Sequence, residues 1–429
     1  MATVTFFQPA TMSFLPTSGP LSVSQIFGDP GAARFEVGGQ FVATAYGNIS
    51  DPSPGSGLPS AFTSVIFDQG FGPAFQVTDM LYIATASYQT TGSLGQGNLL
   101  HLLETVLSFG DTITGTSRSD SLSGYGGNDV LIGGAGGDTL DGGSGNNTAS
   151  YATAAAGLLA NLESPGVNTG DALGDTYFSI QNLTGSNFAD TLYGDGVANT
   201  LSGLGGNDRL VGKAGGDTFI GGSGIDTVVY DASAALRASL LAPGTNTGDA
   251  AGDTYNSIEN LDGSSEDDIL IGNNAANVIR GNGFPNLSFV DADLLMGMGG
   301  NDTLFGFDGN DVLTGGLGRD TLFGGPGADR FDFNSINDTK KGGQRDKIMD
   351  FSRSEGDEID LKDIDAQTGG GNQAFTWIGK SKFHEKKGEL RYIDKGATVI
   401  VQGDINGDGK ADFEIFVNVG ALAKGDFLL

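Results

Sequence analysis

The 429 residues carry 52 acidic and 22 basic side chains and no cysteine, for a formal charge of −30. That balance repels nucleic acid and anionic membranes and attracts cations, and without thiols there are neither disulfides nor thiolate metal sites. Glycine fills 73 positions. It loses the most conformational freedom on folding, so something beyond core burial must compensate.

Residues 1–105 hold only 6 acids and 1 base. The first twenty residues have no Lys or Arg and are interrupted by Pro9, Pro16 and Pro20, which argues against a cleavable signal peptide. No apolar run approaches the roughly 20 residues needed to span a bilayer. Aromatic and β-branched residues predict strands at 35–37, 41–46, 64–67 and 80–84, with turns at 51–55 and 70–73. Residues 99–107 are predicted as a short helix or strand. The segment is expected to be a β-rich cap or binding head. As an active site it offers few groups, namely His101, Asp51, Asp68, Asp79 and Glu104, without a zinc-protease His-Glu-x-x-His or a nucleophile elbow.

Residues 106–335 hold 29 acids against 7 bases, a net −22. Residues 297–329 read GMGGNDTLF, GFDGNDVLT, GGLGRDTLF, GGPGAD, one nine-residue sentence written almost four times. Laid on that ruler, the sixth place falls into three arrays. The first, in residues 106–150, runs Asp111, Asp120, Asp129, Asp138, Asn147. The second, in 186–228, runs Asp190, Asn199, Asp208, Asp217, Asp226. The third, in 264–335, runs Asp268, Asn277 and, after an insertion near residue 283, Asp293, Asp302, Asp311, Asp320, Asp329. A bulky apolar residue follows two places later, Ala149 being the one small member of that set.

The pattern fits calcium, which takes six to eight oxygen ligands from carboxylates and carbonyls. Glycines such as Gly127, Gly136, Gly206, Gly215, Gly300, Gly309 and Gly318 let each loop turn its carbonyls toward a shared ion. The aspartate supplies charge, and the residues after it form a short strand. With two nonapeptides per turn, an ion is expected between each loop and the one two repeats on. Such stacks have room for about eleven ions, or about +22, which matches the segment's charge, and the neutral Asn147, Asn199 and Asn277 should bind more weakly. Folding and loading would then be nearly one event.

Between the arrays lie two similar spacers, 151–185 and 229–263, whose matching segments are 78 residues apart. Asp171, Asp175, Asp249 and Asp253 in them read equally well as extra ligands or as loop-solvating groups. Register kept through the spacers predicts one long solenoid.

The repeat is that of RTX proteins, and the chain is identified as resembling that family. Residues 336–429, with 17 acids and 14 bases, resemble the C-terminal domain of serralysin-type exoproteins. The resemblance rests on Asp346-Lys-Ile-Met-Asp-Phe351, Gly356-Asp-Glu-Ile-Asp-Leu361, Trp377-Ile-Gly379, Gly388-Glu-Leu-Arg-Tyr392, Ala411-Asp-Phe-Glu-Ile415 and the closing Asp426-Phe-Leu-Leu429. It implies an all-β chain, a parallel β-roll (right-handed β-solenoid) with a β-rich N-terminal cap and a β-sandwich-like C-terminal export domain. It also implies export through type I (ABC) secretion machinery to the extracellular space or cell surface. Proteolysis is not implied, because His-Glu-x-x-His is missing. Asp404-Ile-Asn-Gly-Asp-Gly resembles an EF-hand start but lacks the closing glutamate, which favours a β-turn. The expected role is a non-enzymatic surface, matrix or adhesion component with a polysaccharide or cell-surface partner. The alternative is a secreted polysaccharide- or ester-acting enzyme with its site in 1–105.

Overall fold

The computed structural model describes residues 110–429 except 232–233, 283–290 and 368–371. Before residue 110 it describes the backbone of strands Thr3–Phe6, Leu21–Gln25, Ala32–Val37, Gln40–Tyr46, Ser64–Asp68 and Pro73–Thr78. Three of these cover predicted strands, and Pro73–Thr78 starts where a turn was expected to end. The predicted elements at 80–84 and 99–107 lie outside the described residues. Strands and short 3-10 turns make up the described regular structure, and no described helix is long and apolar enough to cross a membrane. The chain divides into two compact units, residues 1–195 with 199–206, and residues 196–198 with 207–429.

In the first unit three-residue strands stack in parallel at the two-repeat interval. Thr112–Thr114 pairs with Val130–Ile132, and Ser121–Ser123 with Thr139–Asp141. The middle residue of each strand points inward, as a period of two demands, so Ile113, Leu122, Leu131 and Leu140 form a buried row. Ala149 sits between Leu131 and Leu183 in register, so two large neighbours fill the space its small side chain leaves. The N-terminal strands form an antiparallel set whose member Thr3–Phe6 pairs in parallel with Thr112–Thr114.

The second unit follows the same rule. One ladder runs through Thr303–Phe305, Thr321–Phe323 and Asp346–Ile348. Another runs through Val312–Thr314, Arg330–Asp332 and Glu358–Asp360 to Phe427–Leu428. The C-terminal segment thus continues the parallel ladders and then adds the antiparallel strands Glu389–Asp394, Val399–Asp404 and Phe413–Val417. Its two layers meet where Trp377 stacks on Tyr392 and contacts Phe427. The EF-hand-like stretch is a closed turn in which Asp404 accepts the Gly407 and Gly409 N–H groups at 2.7 and 2.9 Å.

Candidate metal centre

Most described array aspartates do two things with one carboxylate. One oxygen accepts the backbone N–H of the aspartate 18 residues earlier, as Asp129 does for Asp111, Asp138 for Asp120 and Asp226 for Asp208. Asp311, Asp320 and Asp329 do the same for Asp293, Asp302 and Asp311, at 2.8 to 3.0 Å. The other oxygen of Asp129, Asp138, Asp226, Asp293, Asp302, Asp311, Asp320 and Asp329 is buried and has no hydrogen-bond partner among the described residues. Buried polar atoms are nearly always paired, so a row of single orphaned oxygens marks the face where a cation belongs.

The backbone completes the cradle. A β-carbon placed on Gly297, Gly306 or Gly324 would collide with Oδ2 of Asp302, Asp311 or Asp329. The same atom on Gly297 or Gly306 would lie 2.5 Å from the carbonyl oxygen of Gly315 or Gly324. Only a residue without a side chain leaves this space for an ion. Gly127, Gly136, Gly206, Gly215, Gly300, Gly309 and Gly318, at the fourth place, all have φ between 113° and 156°. Among the described residues no three acidic or histidine side chains converge on one point. Ions here therefore draw on backbone carbonyls as much as on carboxylates, which suits a hard cation with many oxygen ligands.

Electrostatics agree. Burial pushes these carboxyls up, to about 6 for Asp129 and Asp320, about 7 for Asp138 and Asp311, and about 8 for Asp302 and Asp329. Asp293 rises furthest, to about 9, from burial and then from the charges of Asp291, Asp311 and Asp268. Stacked, desolvated acids hold protons when no cation offsets them. The donor set fits calcium, which would supply the positive charge that lets the carboxylates stay ionised inside the coil.

Not every predicted ligand presents an open oxygen. Asp190 accepts the N–H groups of Leu158 and Ser186, and Asp268 those of Leu236 and Ser264. Asp120 accepts both the N–H and the hydroxyl of Thr116 on Oδ2, while its Oδ1 is buried without a partner among the described residues. The three asparagines turn an amide N–H toward a loop carbonyl instead, Asn147 to Ser179, Asn199 to Gln181 and Asn277 to Glu259. That N–H takes a place where a cation could meet the carbonyl, a physical reason for weaker binding there.

Two of the four spacer acids resolve their own ambiguity. Asp175 and Asp253 accept the N–H groups of Asp138 and Asp217 as array acids would. Their second oxygens take the hydroxyls of Tyr151 and Tyr230 at 2.7 and 2.9 Å. Each tyrosine also pairs with a second one, Tyr177 or Tyr255, held in turn by Asn168 or Asn246. A hydroxyl stands where the arrays leave a gap.

Three further acids went unrecognised in the sequence. Asp346 accepts the Asp320 N–H and leaves its other oxygen buried without a partner among the described residues. Asp357 accepts the Asp329 N–H and that of Ser352. The available signal was an aspartate two places before an isoleucine, Ile348 or Ile359, off the nine-residue ruler and without glycines at the first and fourth places. Asp291, where regular loops have their fourth-place glycine, buries both oxygens without a partner among the described residues. His101, Asp51, Asp79 and Glu104 lie outside the described residues, and only the backbone of Asp68 is described.

The RTX calcium-binding nonapeptide repeat family matches residues 110–149, 193–228, 253–286, 290–322 and 305–339. No curated protein matches the chain. Among solved structures, the AlgE6R3 subunit of the Azotobacter vinelandii mannuronan C5-epimerase is 26% identical, with 38% of this chain and 78% of that one covered and a TM-score of 0.22. The AlgE6R2 subunit of that enzyme is 25% identical over 39% and 90%, with a TM-score of 0.25. The extracellular lipase LipA of Serratia marcescens is 12% identical over 78% and 71%, with a TM-score of 0.24. Ladder, cradle and family match agree: the stretches matched between residues 110 and 339 are RTX nonapeptide repeats, and their β-roll binds calcium ions.

Proposed function

We propose that the chain is a secreted protein that stays open in a calcium-poor cytosol, leaves by a type I (ABC) exporter and folds on meeting calcium outside the cell. The observation that supports this most is the row of buried carboxylate oxygens without partners. An ion-free coil would hold them against desolvation and mutual repulsion, so the chain resists compaction until cations arrive. In this reading residues 336–429 carry the export signal and residues 1–105 act as a cap or binding head. The folded protein serves as a non-enzymatic surface, matrix or adhesion component, with an extracellular polysaccharide or cell-surface group as its partner.

Far-UV circular dichroism of the full chain, with calcium and then with excess chelator, tests the folding step. A large gain of β signal on adding calcium is expected; identical spectra would contradict the proposal. For export, deleting residues 336–429 in a host with a matching exporter should abolish release into the medium.

A further inference from the structure

The nine-residue loops fall into two kinds that differ at their second place. In the loops of Asp129, Asp302 and Asp311 that place holds Tyr125, Met298 and Phe307, with φ of 63°, 76° and 77°. In the loops of Asp138, Asp226, Asp320 and Asp329 it holds a glycine of equally positive φ. All seven of these aspartates keep the orphaned oxygen. In the loops of Asp120, Asp190, Asp268, Asn199 and Asn277 the second residue is Thr116, Ser186, Ser264, Asp195 and Asn273, none with positive φ. Each of these donates its own N–H to the sixth-place side chain at 2.5 to 2.8 Å.

From this division we infer that the second residue of a loop decides whether that loop's acid binds calcium. A left-handed second residue turns its N–H away and leaves the carboxylate oxygen to a cation. A serine or threonine in an ordinary conformation points its N–H at that oxygen, putting a positive proton where the ion would sit; Thr116 and Ser186 add their hydroxyls. The fourth place divides the same way, with a glycine of positive φ in the open loops and Arg118, Phe188, Val197, Glu266 or Ala275 in the closed ones. It is the second residue, however, whose N–H meets the carboxylate, and the first-place glycine does not separate the two kinds. A β-carbon on Gly263 would meet the Gly281 carbonyl and Asp268 Oδ2, just as one on Gly306 would meet the Gly324 carbonyl and Asp311 Oδ2. The left-handed region costs a residue with a β-carbon about 1–2 kcal/mol. Tyr125, Met298 and Phe307 therefore carry strain of the sort that gathers at functional sites. Asp190 and Asp268 both begin an array, so these arrays start on a loop that hydrogen-bonds itself shut without an ion.

The inference rests on calcium loading of the coil and predicts changes in ion number in both directions. In equilibrium dialysis of the full chain against calcium, Ser264→Gly should gain about one bound ion and Ser264→Thr should keep the wild-type number. Met298→Ser, which installs the closing residue in an open loop, should lose about one. Folded Ser264→Gly protein with an unchanged count, or Met298→Ser with no loss, would overturn the inference. A wild-type chain that binds no calcium would instead overturn the calcium reading itself.

Discussion

Asp311 in the third array and Asp253 in the second spacer are the same residue doing the same first task, accepting a neighbouring loop's N–H at 2.8 Å; their second oxygens part company. That of Asp311 faces an empty cradle of glycine backbone, whereas that of Asp253 holds the hydroxyl of Tyr230. The difference teaches that an aspartate in this coil is not a ligand by identity or spacing. It becomes one when nothing else in the fold satisfies its second oxygen. Open array loops are completed by ions, and spacers by phenols.

Removing calcium should separate the two regions most. The arrays lose the charge that keeps their acids ionised, so chelation is expected to abolish most of the coil's β signal in circular dichroism. A coil that kept its β signal would mean that spacer-like hydrogen bonds suffice everywhere. Next in size comes Gly306→Ala, whose methyl group enters the cradle of Asp311. Calcium titration followed by tryptophan fluorescence or calorimetry should show a loss on the order of tenfold at that site, about 1.4 kcal/mol. Gly244→Ala in the spacer is its counterpart, since a β-carbon there meets nothing within 4 Å; it should stay within about 0.5 kcal/mol of wild type.

Tyr230→Phe probes the other side of the comparison. It strips the hydroxyl from Asp253 and leaves a buried oxygen unpaired, so thermal or urea unfolding of the calcium-loaded protein should show a loss of about 1–3 kcal/mol. A further effect is that of pH on the calcium-free chain. The raised carboxyls, from about 6 at Asp320 to about 9 at Asp293, favour the folded coil when protonated. That contribution is complete below the unfolded value near 4 and fades as pH rises through 6 to 9. Acidifying calcium-free protein from pH 8 toward 4 should therefore restore some β signal, while calcium affinity falls because protons compete. A coil that loosens further on acidification would contradict this.

Much of this was legible in the chain. Nine-residue spacing placed the inward row, and Leu304, Leu313 and Leu322 are fully buried where the ruler puts them. It also located the acids of the open loops, because their glycines and aspartates are close together in sequence. What stayed hidden depends on partners far along the chain. Tyr151 reaches Asp175 across 24 residues, and Asp346 reaches Asp320 across 26, intervals that no local repeat announces. The closing role of Thr116, Ser186 and Ser264 was hidden differently. Their letters were in view, but the N–H bond they make depends on backbone hand, which spacing does not encode.

The acids of the open array loops are expected to hold ions, and the spacer acids are not. Counting bound calcium by equilibrium dialysis in Asp311→Asn and Asp253→Asn, each beside wild type, tests this most directly. Asp311→Asn is expected to bind fewer ions than wild type and Asp253→Asn the same number. Equal losses in the two variants, or a loss confined to Asp253→Asn, would contradict it.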